Sequence, residues 1–164
     1  MIIGSGDIAS SLNDRDDVIF FASGVSNSGC RDEEEFKRER RLMITTFNSL
    51  YQPGISLFYF SSISLSFVTT PYTVHKMSME LMVKGMWPDY SIIRLGNIDW
   101  GNNPNTFLNA LRRMRQEGRP VNIRDEWKYM INKEQLLLIT DNLPASGKNK
   151  ISIFGDMRKV KDLI

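Results

Sequence analysis

Three mostly apolar runs, separated by segments with helical spacing, constrain the fold of this chain more than any other feature. The runs are Val18–Ala22, Ile55–Phe60 and Ser91–Leu95. Strands without polar alternation are typical of a parallel sheet that is covered on both faces. The sequence therefore predicts an α/β fold, with a mostly parallel sheet and helices on both of its faces.

The segments between these runs have the pattern of amphipathic helices. Residues 32–50 begin with a carboxylate cluster, and Pro71 opens a helix to about Gly85. We expect the apolar face of this second helix to comprise Val74, Met77 and Leu81. Beyond them the sequence predicts a helix over 105–117, a strand near Val121, a strand over 129–131, a helix over 133–142 and a strand over 150–154.

Length and composition limit the classes of function. With 164 residues, of which 41% are hydrophobic, the chain has room for one domain with a core. The net charge is only +2 and the basic residues are dispersed, so no nucleic acid partner is expected. One histidine and one cysteine are too few for a zinc site, and no apolar run is long enough to cross a bilayer. We therefore expect a cytoplasmic protein without a metal ion or a membrane partner.

A glycine turn near the N-terminus is the first candidate site. Residues 4–9, Gly-Ser-Gly-Asp-Ile-Ala, fit the G-x-G-x-x-G/A pattern between a short strand and a predicted helix over 7–12. Glycine lets a pyrophosphate approach the backbone, and a helix N-terminus offers free N–H groups to it. Asp7 would repel such an anion unless its carboxylate points away. The alternative is a purely structural turn. The predicted cofactor-binding residues are Gly4, Ser5, Gly6, Ile8, Ala22, Ser23 and Gly24, together with Lys76.

A tyrosine and a lysine four residues apart form the second candidate site. Tyr72 and Lys76 would share one face of a helix, and Ser62 ends the preceding strand. A nearby ammonium group favours phenolate, so we expect the pKa of Tyr72 to fall below its usual value of about 10. Tyr72 could then exchange a proton with a substrate hydroxyl or carbonyl. The alternative is a chance pair on the helix surface, where we also expect His75.

The order of these features resembles a known family. A glycine turn, a strand with a small-residue loop, a strand ending in Ser61-Ser62, a helix opening with Tyr and Lys, and the segment 94–97 follow one another. This succession resembles the extended short-chain dehydrogenase/reductases, which include nucleotide-sugar epimerases and dehydratases. The resemblance covers nearly the whole chain, and segments 132–136 and 151–155 resemble the family's C-terminal pieces.

The resemblance implies a Rossmann-like fold, NAD or NADP as cofactor and a nucleotide sugar as substrate. It assigns catalysis to Ser62, Tyr72 and Lys76, and places Lys76 also at the nicotinamide ribose. It assigns substrate binding to Asn97. Ser61 is a further candidate, because a hydroxyl from either Ser62 or Ser61 would hydrogen-bond the same substrate oxygen as Tyr72 and position it. Residues 1–164 would form one domain, with a reduced substrate-binding portion over about 97–164.

The chain departs from the family pattern after the glycine turn. A complete dinucleotide fold carries a second strand about 20 residues further on, ending in an acidic residue that binds the adenosine ribose. Here Val18–Ala22 ends in Ser23-Gly24, which resembles the family's fourth strand, so the second and third strands are absent. We therefore expect weak or lost binding of the adenosine half, and a first strand at the sheet edge that needs cover.

Two functions are consistent with this sequence. The first is an enzyme that acts on a nucleotide sugar by epimerisation, dehydration or reduction, which all begin with the same hydride and proton transfer. The second is a non-catalytic relative, a binding or assembly component in surface polysaccharide synthesis. Retention of Ser62, Tyr72 and Lys76 favours the first, and loss of the adenosine-binding strands favours the second. The resemblance also predicts a homodimer through the helices 32–50 and 71–85.

Overall fold

The computed structural model describes residues 1–120 and 126–163, so the strand predicted near Val121 lies outside the described residues. The strands are β1 Ile2–Ile3, β2 Val18–Phe21, β3 Ser56–Ser62, β4 Tyr90–Leu95, β5 Asn97–Ile98, β6 Trp127–Ile131, β7 Lys148–Ile153 and β8 Asp156–Lys159. The helices are α1 Glu33–Leu50, α2 Pro71–Met86, α3 Phe107–Gln116 and α4 Lys133–Asn142. Short 3₁₀ turns cover Ala9–Ser11, Ile63–Ser66 and Val160–Asp162.

A five-stranded parallel sheet forms the centre of the fold, in the order β1-β2-β3-β4-β7. Alternate residues of each strand supply two separate hydrophobic clusters. Leu57 and Tyr59 pack with Met43 of α1 and Met79 of α2, while Phe58 packs in the cluster that contains Leu136 of α4. The central strands β2, β3 and β4 are mostly buried on both faces, and the predicted Rossmann-like α/β architecture is confirmed.

The first strand lies at the edge of this sheet, as the sequence predicts. β1 pairs directly with β2, with Ile2 opposite Phe20, and no described strand pairs with its other side. The helix predicted over 7–12 is reduced to the 3₁₀ turn Ala9–Ser11. The Ser10 and Ser11 hydroxyl groups both donate to the Asp7 carbonyl, at 3.1 and 2.7 Å. Such side-chain bonds compete with regular helical hydrogen bonding, which explains the shorter element.

The predicted apolar face of α2 is wrong. Val74, Met77 and Leu81 are 55%, 51% and 63% exposed. The residues that α2 buries are Tyr72, Thr73, His75, Lys76, Met79, Glu80 and Val83. Burial of so many polar groups is tolerable because they are hydrogen-bonded or ion-paired within the protein. The buried face of the helix therefore mixes polar and charged groups with apolar residues such as Met79 and Val83, while its exposed face carries the three predicted apolar residues.

A small second sheet follows the first, in the order β5-β6-β8. The sequence predicts β6 but neither β5 nor β8. β5 runs parallel to β6, whereas β8 is an almost wholly polar strand that runs antiparallel to β6. β5 follows β4 after a single residue, so the second sheet begins at the carboxyl edge of the first. No helix in the described ranges is long and apolar enough to cross a membrane.

Candidate functional site

A cleft of about 270 Å³ lies where β1, β2, β3 and β4 end. The carboxyl edge of an open parallel sheet is where such folds bind ligands. The predicted site residues that line this one cleft are Ser5, Gly6, Ile8, Ala22, Ser23, Gly24, Ser61, Ser62, Tyr72, Lys76 and Asn97. Tyr72 and Lys76 therefore lie on the same side of the sheet as the glycine turn. The structure brings the two candidate sites together.

Gly4 is the predicted site residue that does not line the cleft. Its φ is +131°, and a side chain there would place Cβ 2.5 Å from the carbonyl oxygen of Ala22. Glycine is required at this position because the turn after β1 passes directly against the end of β2. Its contribution is to the shape of the turn.

The Asp7 carboxylate is held by the chain after β5. Its Oδ1 accepts the Asn102 backbone N–H at 3.0 Å and its Oδ2 accepts that of Asn103 at 2.9 Å. Gly101 has a φ of +88°, and a Cβ there would collide with the same carboxylate. The charge inside the glycine turn is therefore bound by two backbone donors, and it joins the turn to the segment after β5.

Tyr72 is buried at the side of the cleft, packed with Val25 and Phe36 and with Cys30 at the margin of the cluster. Burial raises the pKa of the Tyr72 phenol, because the charged phenolate is disfavoured away from water. The Lys76 charge and a hydrogen bond with Ser62 act in the opposite direction but do not outweigh burial. The expected lowering of the pKa of Tyr72 is therefore wrong for the unliganded protein.

A buried carboxylate explains why the charge of Lys76 does not lower the pKa of Tyr72 below its usual value. The Lys76 ammonium donates to Glu39 Oε1 at 3.0 Å and to the Tyr59 hydroxyl at 3.2 Å. Its Nζ lies 6.0 Å from the centre of the Tyr72 ring. Glu39 and Lys76 form an ion pair in which both side chains are almost wholly buried. The positive charge that would favour phenolate is therefore largely cancelled by its partner.

Glu39 stays ionised despite its burial. Burial acts to raise its pKa, but the Lys76 charge and hydrogen bonds from His75, Val25 and Tyr59 together bring the pKa well below its usual value. The carboxylate accepts the Tyr59 hydroxyl at 2.8 Å and the Val25 backbone N–H at 2.8 Å. Burial also raises the pKa of Tyr59, and the Glu39 charge adds to this effect. Tyr59 is thus a neutral donor.

His75 is buried, so its expected place on the helix surface is wrong. Its ring stacks on Phe36 with centroids 4.4 Å apart. Nδ1 faces an N–H of Arg40 at 3.4 Å, and arginine can only donate. Nδ1 must then accept, so Nε2 carries the proton and donates to Glu39 Oε2 at 2.9 Å. His75 holds the carboxylate and is not directed at the cleft.

The two predicted substrate-binding residues both have partners within the protein. The Ser61 hydroxyl donates to Glu80 Oε1 at 2.8 Å, and Arg94 binds both oxygens of the same carboxylate. The Asn97 amide donates to the Tyr129 carbonyl at 3.1 Å. Ser61 therefore lines the cleft with its hydroxyl engaged elsewhere, whereas the Ser62 hydroxyl accepts the Ser64 backbone N–H and caps the following 3₁₀ turn.

Sequence reasoning missed Glu39, although a signal was present. Residue 39 follows Phe36 by three positions and precedes Met43 by four, which places it on the buried face of α1. The surrounding run of charged residues, Glu-Phe-Lys-Arg-Glu-Arg-Arg, gives the impression of a solvated helix. A carboxylate at an apolar position of the helix repeat indicates a buried partner of opposite charge elsewhere in the chain.

The cleft fits one half of a nicotinamide dinucleotide better than the other. Ser62, Tyr72 and Lys76 lie together, and an ammonium group has three N–H donors, of which Glu39 and Tyr59 take two. One donor is left for a ribose hydroxyl. On the adenosine side the described residues supply no strand beyond β1 and hence no acidic residue at its end. The fit is therefore to the nicotinamide and ribose portion.

Comparison with known proteins gives matches at the level of structure. No family model and no curated protein sequence matches the chain. Among solved structures it is similar to WbmG of Bordetella bronchiseptica in complex with NAD and UDP, with a TM-score of 0.63 and 13% identity over 88% of this chain. It is also similar to UDP-glucose 4-epimerase of Thermotoga maritima with UDP-glucose, with a TM-score of 0.60 and 14% identity over 90% of this chain.

These matches cover only part of the larger proteins. The chain spans 53% of WbmG and 58% of the Thermotoga epimerase. A third similar structure, Pen from Bacillus thuringiensis, has a TM-score of 0.66 at 13% identity, over 90% of this chain and 49% of that one. The chain therefore shares the Rossmann-like fold of these larger proteins over about half of their length.

Proposed function

We propose that the cleft binds a nucleotide sugar, and that Tyr72 exchanges a proton with a hydroxyl or carbonyl of the sugar beside NAD or NADP. The proximity of Ser62, Tyr72 and Lys76 to the glycine turn in one cleft carries this proposal. Structures of the same fold that contain NAD, UDP or UDP-glucose support the class of ligand. Residues from about 97 onward would supply the reduced sugar-binding portion, and the product would serve surface polysaccharide synthesis.

Each proposed catalytic residue has a distinct part in this reaction. With its raised pKa, Tyr72 is protonated at neutral pH and is suited to donate its proton to an oxygen that gains negative charge. Ser62 lines the same cleft as Tyr72 and would orient the phenol and the substrate oxygen. The remaining N–H of Lys76 is available to a ribose hydroxyl. A bound nicotinamide would supply or accept the hydride.

The substitution Tyr72→Phe tests the proposed proton transfer. It removes only the hydroxyl, so turnover of UDP-glucose with NAD or NADP should fall by a factor of about 10² or more. Calorimetric affinity for both ligands should change little. Tyr90→Phe is the matched control, because Tyr90 is also buried but lies at the opposite end of β4 from the cleft. Full activity of the Tyr72→Phe variant would remove Tyr72 from the mechanism.

A non-catalytic binding component is the second candidate function. The observations in its favour are the missing adenosine-binding strands and the cancellation of the Lys76 charge by Glu39. Calorimetry with NAD, NADP, UDP-glucose and a GDP sugar distinguishes the two. Binding of a nucleotide sugar without any dinucleotide binding at millimolar cofactor would support the binding component and exclude the redox enzyme.

We also propose that α1 and α2 pair with the same helices of a second copy. The exposed apolar residues of α2 recur at 74, 77 and 81, which is the spacing of one helix face, and Ile44 of α1 is exposed as well. Leu81→Lys should convert a dimer into a monomer in light scattering at high concentration. Leu138→Lys, at a comparably exposed leucine of α4, should leave the dimer intact. A monomeric parent protein would contradict the pairing.

A further inference from the structure

One buried carboxylate links three separate parts of the molecule. Glu39 of α1 accepts hydrogen bonds from Val25 in the loop after β2, from Tyr59 in β3, and from His75 and Lys76 in α2. All four distances lie between 2.8 and 3.0 Å. An ionised carboxylate offers about four acceptor sites, so these donors saturate Glu39. Such a saturated buried group has a single preferred geometry.

The loop after β2 contacts this ion pair directly. A Cβ at Gly24 would lie 2.5 Å from Lys76 Nζ and 2.8 Å from Glu39 Oε1. The φ of Gly24 is not positive, so the absence of a side chain is required by this contact and not by backbone conformation. The loop backbone therefore rests on the ion pair, and the same loop lines the cleft at Ser23 and Gly24.

We propose that Glu39 is a positioning residue that fixes the Ser23–Val25 loop and the Lys76 ammonium as a single unit, so that a ligand in the cleft meets both in one arrangement. This inference rests on the proposed function for the identity of the ligand, but its geometry does not depend on catalysis. Lys76 makes no hydrogen bond to the loop in the described residues. Any influence of Lys76 on the loop must then pass through Glu39 or through the Gly24 contact.

The amide exchange of the loop is the measurement that tests this unit. Glu39→Gln keeps the shape of the side chain but removes its charge, and Lys76→Met removes the partner from the other side. Both variants should accelerate hydrogen exchange in residues 22–28 by about tenfold or more beyond any acceleration in the amides of β3 and β4, whose exchange reports the overall loss of stability. The change in Lys76→Met is the sharper result, because Lys76 makes no hydrogen bond to the loop in the described residues, whereas Glu39 accepts one from Val25.

Glu80→Gln provides the matched control. Glu80 is also a buried carboxylate, and it is ion-paired with Arg94 and hydrogen-bonded to Ser61. It has no hydrogen bond to the loop or to Lys76 in the described residues. Acceleration of residues 22–28 that merely followed a loss of stability would appear in Glu80→Gln as well, so unchanged exchange of these residues relative to β3 and β4 in that variant supports the proposal. Equal acceleration in Glu80→Gln, or none in Lys76→Met, would overturn it.

The ultraviolet titration of Tyr72 gives a second readout. Substitution of Glu39 would leave the midpoint of this titration unchanged if Glu39 had only a structural role. The titratable groups that face Tyr72 are Lys76 on its own helix, Glu39 from α1, Tyr59 from β3 and the Cys30 thiol from the loop after β2. Subtraction of the Tyr72→Phe titration isolates this phenol. In Glu39→Gln its midpoint should fall by about 1 pH unit or more, since the compensating negative charge is gone. An unchanged midpoint would refute the coupling.

A folding failure of Glu39→Gln leaves the proposal testable. The double variant Glu39→Gln with Lys76→Met removes both charges, and replacement of a whole buried ion pair is often tolerated. Loop exchange faster than in the parent supports the proposal, whereas parental exchange in this variant overturns it. Neither exchange nor titration requires cofactor or substrate. The proposed function can therefore fail in calorimetry while the positioning of the loop by Glu39 is upheld.

Discussion

The two sides of the cleft are built very differently. The Tyr72 side, formed by α1, β3 and α2, buries an ion pair and satisfies its carboxylate with four donors. The glycine-turn side, formed by β1 and the 3₁₀ turn after it, has a two-residue edge strand and is tied to the segment after β5 chiefly through Asp7. One side is fixed by buried electrostatics, and the other by a few partly exposed hydrogen bonds.

Under the proposed function, this difference would separate the two halves of a dinucleotide site. The described residues supply no strand outside β1 for adenosine, and none of the residues that hold Lys76 or Tyr72 lies at that edge. Weak binding of the adenosine half would then leave the arrangement around Tyr72 unchanged. The following variants test how unequal the two sides are, in order of decreasing effect on stability.

Lys76→Met should have the largest effect. It leaves the Glu39 carboxylate buried without its counter-charge, and breaking a buried ion pair in this way costs about 3–5 kcal/mol. The free energy of unfolding in urea measures this loss. Lys84→Met, on the exposed face near the end of the same helix, should change stability by no more than about 0.5 kcal/mol. Similar losses in both variants would show that the Glu39–Lys76 ion pair contributes no more to the free energy of unfolding than an exposed lysine does.

Gly24→Ala should have an intermediate effect. The new methyl group would overlap Lys76 Nζ and Glu39 Oε1, and an overpacked buried site typically costs about 1–3 kcal/mol. Gly85→Ala is its control, because no atom lies within 4 Å of a Cβ there and alanine is the better helix former. The control should be neutral or slightly stabilising by thermal unfolding. Equal stability of Gly24→Ala and the parent would mean that the loop does not rest on the ion pair.

Asp7→Asn should have the smallest effect. It weakens two hydrogen bonds to backbone N–H groups that are partly exposed, so we expect a loss of about 1 kcal/mol. The exposed Asp16 supplies the comparison through Asp16→Asn, with little or no change in urea unfolding. If Asp7→Asn lost as much stability as Lys76→Met, the glycine-turn side of the cleft would be fixed as firmly as the Tyr72 side, which would contradict the comparison.

The sheet and most helices were predictable because local signals agree with the fold. Mostly apolar runs identify β2, β3 and β4. Apolar residues and the Asn132–Gln135 capping box at its start identify α4. β8 was missed because its sequence, Asp-Met-Arg-Lys, lacks apolar alternation and its pairing with β6 depends on tertiary contact. Strands of this kind carry no local pattern.

The environment of the site was harder to predict than its residues. The sequence indicated which side chains meet in the cleft, but the pKa of Tyr72 depends on burial and on Glu39, which is 37 residues from Lys76 in the chain. The face of α2 was misassigned because apolar periodicity indicates a contact surface without saying whether the contact lies inside the protein. The internal face of α2 combines the charged groups Lys76 and Glu80 with Met79 and Val83 of the core.

The shortness of β1 has a consequence for self-association. An exposed strand edge is a template on which further copies can add indefinitely, and a sheet that lacks its outer strands is open to this hazard. β1 is only two residues long, so it offers few unpaired N–H and C=O groups for another strand. Growth of a fibre by pairing of strand edges would therefore have few backbone N–H and C=O groups to use along β1. The sheet has no described strand outside β1, but this edge does not make the protein prone to aggregate.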